Sequence, residues 1–147
     1  YDGLLHRWRV HSGTVGDIHL QLYRPVDDEG DGGGGFTLVH TSVYTIAEPG
    51  AHTFGTDAPP TTVRRGDCIG WYAPVGGMLR YDFPPSGAGG CKTLGVSDNV
   101  RTAPIVGSVF HPTRFVRWHV SVQAFVVPST ATLPESDRLF AQAAART

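Results

Sequence analysis

The stretch Val116-Arg117-Trp118-His119-Val120-Ser121-Val122-Gln123-Ala124-Phe125-Val126 sorts its side chains by phase. Val116, Trp118, Val120, Val122, Ala124 and Val126 fall in one phase, and Arg117, His119, Ser121 and Gln123 in the other. A period of two marks an extended strand whose alternate side chains point to opposite faces. The expectation is a long strand lying centrally in an antiparallel sheet, with its apolar face capping a core and its polar face open.

Working back toward the start, Arg7 and Arg9 flank Trp8 and alternate with His6 and Val10, which gives a first strand. Ile18, Leu20 and Leu22 alternate with His19, Gln21 and Tyr23 until Pro25, whose missing N–H ends the ladder and gives a second. His11-Ser12-Gly13-Thr14-Val15-Gly16 has the glycine spacing of a hairpin connection, so the first two strands are expected to pair. Asp27 to Gly35, acidic and then all glycine from Gly32, cannot bury apolar surface and reads as a solvated loop. The β-branched and aromatic run from Phe36 to Tyr44 is a third strand. Shorter strands are expected at His52 to Phe54, Thr61 to Arg64, Cys68 to Tyr72 and Met78 to Phe83, with an Arg65-Gly66-Asp67 turn before Cys68.

This spacing predicts an all-β chain, an antiparallel β-sandwich of jelly-roll type over residues 1–127. Composition agrees, because 19 glycines and 11 prolines with only 17% charged residues suit a turn-rich β protein better than a helical bundle. Residues 128–147 change character. Pro128 to Pro134 is a proline and small-residue linker, with Ser129, Thr130 and Thr132 as expected O-glycan acceptors. Glu135 to Arg146 reads as a short helix, acidic at its start and basic at its end.

The charge balance, 12 basic against 13 acidic residues for a net charge of -1, creates no global field toward a polyanion, so nucleic acid is not an expected partner. No run approaches the roughly 18 apolar residues of a membrane span, and no membrane insertion is expected. Tyr1-Asp2-Gly3-Leu4 runs straight into a strand without an initiator methionine, as in a processed chain or a segment of a longer one. Cys68 and Cys91 lack the paired spacing of a zinc or thioredoxin motif. A disulfide between them is favoured over two buried thiols, would stabilise by about 3 kcal/mol through loop closure, and points to an extracellular or cell-surface location.

No motif specifies a reaction. Asp27, Glu29 and Asp31 imitate the opening of a calcium loop, but Leu38 stands where the bidentate glutamate is needed, leaving only weak candidates for a looser metal site. The seven histidines form no close metal cluster, and Cys68 has only Asp67 beside it rather than a base. No catalytic residue and no cofactor are expected. His19, Gln21, Tyr23, Arg117, His119 and Gln123 form the candidate binding face, and Trp71, Tyr72 and Tyr81 a candidate aromatic rim.

Trp8-Arg9-Val10, Leu20 to Pro25, Phe36 to Val39 and Val63 to Tyr72 together resemble, in that order, a β-sandwich module of secreted and cell-surface multidomain proteins. The resemblance covers residues 1–127, and its best markers are the Gly66-Asp67 turn and the Tyr23-Arg24-Pro25 strand end. It implies an adhesive or architectural role and carries no catalytic residues. Two function classes therefore compete. The first is a noncatalytic module that contacts other chains of an extracellular assembly, or glycans. The second is a calcium- or zinc-dependent lectin or small secreted enzyme using loop histidines and aspartates.

Overall fold

A computed structural model of the chain describes residues 2–26, 34–56, 59–82, 93–96, 102–112, 114–117 and 119–128, with 81–82, 93–96, 114–117 and 119 described as backbone only. In chain order the strands are β1 (Gly3–Ser12), β2 (Gly16–Pro25), β3 (Phe36–Ile46), β4 (Gly50–Gly55), β5 (Thr62–Val63), β6 (Cys68–Tyr72), β7 (Tyr81–Asp82), β8 (Thr93–Val96), β9 (Val109–Phe110), β10 (Arg114–Arg117), β11 (His119–Val120) and β12 (Val122–Pro128). Among the described residues there is no helix, and the expected tail helix over 135–146 lies outside them.

Two four-stranded antiparallel sheets dominate. One runs β12-β1-β4, with β5 also paired to β1, and the other runs β6-β2-β3-β9. Two short antiparallel pairs, β8 with β10 and β7 with β11, complete the described ladders. β6 and β3 match their expected positions closely, because their β-branched and aromatic residues favour extended backbone between turn-forming neighbours.

The first two strands do not form a hairpin. β1 pairs with β12, β4 and β5, whereas β2 pairs with β3 and β6, so the connection at residues 13–15 crosses between sheets. The end of β1 is drawn to another segment, since Ser12 is fully buried and its Oγ donates to the Met78 carbonyl at 2.7 Å. Gly13 N–H donates to the same carbonyl at 3.0 Å. The crossing brings the apolar side chains of both strands into one core, in which Trp8 and Val10 of β1 join Ile18 and Leu20 of β2, with Leu5, Ile46, Met78, Leu79 and Val122. A hairpin would have placed these side chains on one sheet, leaving each to find its cover elsewhere.

The run from residue 116 to 126 is not one central strand. Its described residues fall in β10, β11 and β12, each paired differently, and β12 lies at the end of its sheet's described strand order while β1 lies inside. The division before β12 is at Ser121. Its N–H donates to the Arg80 carbonyl, and its hydroxyl lies 2.8 Å from that oxygen and 2.9 Å from the His11 carbonyl. Trp118 lies outside the described residues.

Two bulges set the phases. Against β12 the register steps from Leu5↔Val126 to Arg7↔Phe125, which makes His6 the extra residue. An extra residue reverses which face the following side chains take. Leu5 and Trp8, three apart, are therefore both buried, and Arg7 lies outward opposite Phe125. Thr56 Oγ1 supports this bulge, lying 2.9 Å from the Leu5 carbonyl and 3.2 Å from that of His6. The second bulge steps from Leu22↔His40 to Tyr23↔Leu38 and places fully buried Leu38 beside Tyr23.

Tyr23 also explains Gly70. A Cβ at Gly70 would lie 2.6 Å from Tyr23 Cε2, because the tyrosine ring covers the neighbouring strand there. Gly70→Ala is expected to displace that ring and cost about 1–3 kcal/mol, as overpacking does. Gly76→Ala, where a Cβ meets nothing within 4 Å, should stay within about 0.5 kcal/mol. Urea midpoints of the two variants check the contrast, and equal midpoints would remove the close-approach explanation.

Candidate functional site

The expected binding face is not one surface. His19, Gln21 and Tyr23 lie on β2, Gln123 lies on β12 in the other sheet, and Arg117 and His119 lie on β10 and β11. Gln21 is 0% exposed and Tyr23 9%, so the polar phase of β2 is largely covered rather than open. Their polarity is used internally, with Tyr23 Oη donating to Gln21 Oε1 at 3.0 Å. Burial pushes the Tyr23 phenol above its ordinary pKa, which keeps that proton in place. Gln21 Nε2 and Thr41 Oγ1 are buried without a hydrogen-bond partner among the described residues. His19 remains partly exposed and meets Tyr72 edge-on, with ring centroids 5.3 Å apart.

The expected aromatic rim also separates. In β6, Trp71 pairs with Leu20 and packs against the core, while Tyr72 pairs with His19 on the opposite face. Alternation within one strand requires that split. Tyr81 is placed by its backbone, opposite Val120. Cys68 is exposed at the start of β6, with Sγ 3.5 Å from the Gly66 carbonyl. Cys91 lies outside the described residues, and so does the expected Cys68–Cys91 pairing. Asp27, Glu29 and Asp31 lie outside them as well, and among the described residues no group of three or more His, Cys, Asp or Glu side chains is placed to hold a metal.

Three residues meet in an arrangement that alternation alone did not reveal. His40 Nε2 lies 2.8 Å from Ser42 Oγ, and Thr61 Oγ1 lies 2.9 Å from His40 Nδ1. The hydroxyl–imidazole contact has the reach of a nucleophile and its base, but Ser42 is only 1% exposed and its hydroxyl is packed rather than presented. The chain of bonds instead connects β3 to the segment that pairs with β1, since Leu5 N–H donates to the Thr61 carbonyl at 2.8 Å.

The turn before β6 contains a two-pronged ion pair. Arg24 presents Nε and Nη2 to the two carboxylate oxygens of Asp67, both at 2.8 Å. The Asp67 side chain is 1% exposed and that of Arg24 30%. Gly66 adopts φ 96°, which closes the turn, and Asp67 Oδ2 accepts the Arg64 N–H at 2.8 Å. Burial opposes ionisation of Asp67, yet the hydrogen bonds from Arg24 and Arg64 and the charges of both hold its carboxyl below the usual range. The pair is a structural clamp between the end of β2 and the β5–β6 turn.

The open chemistry lies on the outer face of the β12-β1-β4 sheet. Arg7 and Arg9 are exposed on β1, opposite Phe125 and Gln123 of β12 and Gly55 and Thr53 of β4. The Arg7 guanidinium sits over the Phe125 ring, 4.6 Å from its centroid. Arg7, Arg9, Ala51, Thr53 and Phe125 line an open groove of about 280 Å³. Small residues on β4 leave space beside the two long arginines. Among the described residues neither arginine is paired with a carboxylate, in contrast to Arg24. Gln123 of the expected face belongs here. Arg7, Arg9 and Phe125 were not in that set, although an aromatic residue in the polar phase of residues 117–125 is a sequence signal for them.

No protein-family model, no curated protein and no solved structure matches the chain.

Proposed function

We propose that this chain is a noncatalytic extracellular structural or adhesive module, a β-sandwich of jelly-roll type that contacts partner chains or glycans within a larger assembly. The observation that carries the reading is the outer face of the β12-β1-β4 sheet, where two arginines without a carboxylate partner among the described residues lie together with Gln123, Thr53 and Phe125 on solvent-facing strands. Other polar groups are engaged with one another, as in Arg24–Asp67, Tyr23–Gln21 and His40–Ser42. The sandwich architecture is supported by two four-stranded antiparallel sheets that contribute to one core. The resemblance to modules of secreted and cell-surface proteins favours the same role, and a Cys68–Cys91 disulfide would agree with that compartment.

Retention of the purified chain on a decellularised matrix tests the reading. The intact chain is expected to bind, and Gln123→Ala with Phe125→Ala is expected to weaken retention while leaving the far-UV spectrum unchanged. No retention of the intact chain above a folded control protein of equal charge would overturn the proposal.

A further inference from the structure

Resting on that binding reading, we infer that the Arg7–Arg9 groove takes an anionic polysaccharide, a glycan chain bearing sulfate or carboxylate groups. Arg7 and Arg9 are alternate residues of one strand, so their side chains leave the same face about 7 Å apart along it. Each guanidinium is a planar fork of N–H donors that matches the paired oxygens of a sulfate or carboxylate. Phe125 positions one of them. Its ring attracts the Arg7 cation without neutralising its charge, so the guanidinium still carries a full positive charge for an anion. Gln123, opposite Arg9, and Thr53 supply neutral donors and acceptors suited to sugar hydroxyls.

The shape favours a glycan over an acidic peptide. Peptide partners concentrate their affinity in buried anchors that fill apolar pockets. This groove is open, and its large apolar side chain, Phe125, is already covered on one side by Arg7. The arrangement is local. With a net charge of -1, the chain as a whole does not attract polyanions, and binding must come from these strands.

The test uses heparin as the sulfated probe, with dextran as the neutral chain, poly-glutamate as the acidic peptide and inorganic sulfate as the free anion. The intact chain is expected to bind heparin in 0.15 M salt, to ignore dextran, and to bind poly-glutamate and free sulfate at least tenfold more weakly. Arg7→Gln with Arg9→Gln should weaken heparin binding at least tenfold, whereas Arg65→Gln, an exposed arginine on the β5–β6 turn, should change it less than twofold. Arg7→Lys with Arg9→Lys should recover only part of the loss, because lysine restores charge without the fork. Equal binding of heparin by the Arg7/Arg9 and Arg65 variants would overturn the inference, and so would equal binding of heparin and poly-glutamate. Matrix retention that survives removal of both arginines would sink the glycan assignment alone, and absence of retention in the intact chain would sink the binding reading with it.

Discussion

Trp8→Ala is expected to lower the unfolding free energy by about 3–5 kcal/mol. The indole is 0% exposed and belongs to a core drawn from both sheets, together with Leu5, Val10, Ile18, Leu20 and Ile46. Across the strands its register partners are Ala124 and Phe54, so a small residue on one side leaves room that the large ring fills. Removing the ring leaves a cavity between sheets that cannot close without shifting ladders on both. That loss is a large share of the roughly 5–15 kcal/mol that stabilises an ordinary domain. Trp8→Phe provides the control, because Nε1 is buried without a hydrogen-bond partner among the described residues. Phenylalanine forfeits some packing but removes the orphaned donor, which itself costs about 1–3 kcal/mol, and the net loss should stay below about 2 kcal/mol. Urea unfolding of the three proteins at constant m-value measures this. A Trp8→Ala cost under about 1 kcal/mol would mean that the core does not depend on this ring.

The alternation of apolar and polar residues revealed which segments are extended and, for much of each strand, which side chains turn inward. It identified β6 and the turn before it, because a strand-forming run bounded by Gly66-Asp67 is a local property. Partner choice is not local. His11 to Gly16 has hairpin chemistry, but its glycines serve equally well for a crossing between sheets, where Ser12 bonds to Met78, 66 residues away. The bulge at His6 is likewise invisible in the pattern, since it depends on Thr56 holding the Leu5 and His6 carbonyls.

The residues of the expected binding face separate for a related reason. Polar residues in one phase of β2 look solvated, yet Gln21 and Tyr23 bond to each other and can be buried as a pair. A period of two separates faces without saying whether another part of the chain covers the polar one. Arg7 and Arg9 were visible as a polar phase around Trp8, but their significance required Phe125 and Thr53 from β12 and β4. By contrast, the two sequence markers at Tyr23-Arg24-Pro25 and Gly66-Asp67 prove to be one structural unit, joined by the Arg24–Asp67 fork.

Asp67→Ala is expected to cost about 3 kcal/mol, in the range for breaking a buried charge pair by removing one partner. The substitution strips both 2.8 Å bonds from Arg24 and leaves the Arg64 N–H without its acceptor. Arg24 is 30% exposed and can recover some hydration, which keeps the loss toward the lower end of that range. Arg24→Ala should cost a similar amount by leaving the enclosed carboxylate uncompensated, and the double variant should cost less than the sum of the two. The pH dependence has a definite sign. Because folding lowers the Asp67 pKa, its contribution is fully present above the unfolded carboxylate value of about 4 and disappears as pH falls through the lower folded value. Arg24, whose hydrogen bond to Asp67 raises its pKa further, stays charged throughout. The stability gap between the intact chain and Asp67→Asn should therefore hold constant from about pH 7 to 5 and narrow below about pH 4. Urea midpoints across that range read it directly. A gap that widens on acidification would show that the carboxylate is destabilised by folding, and the fork between β2 and the β5–β6 turn could not then be what holds them together.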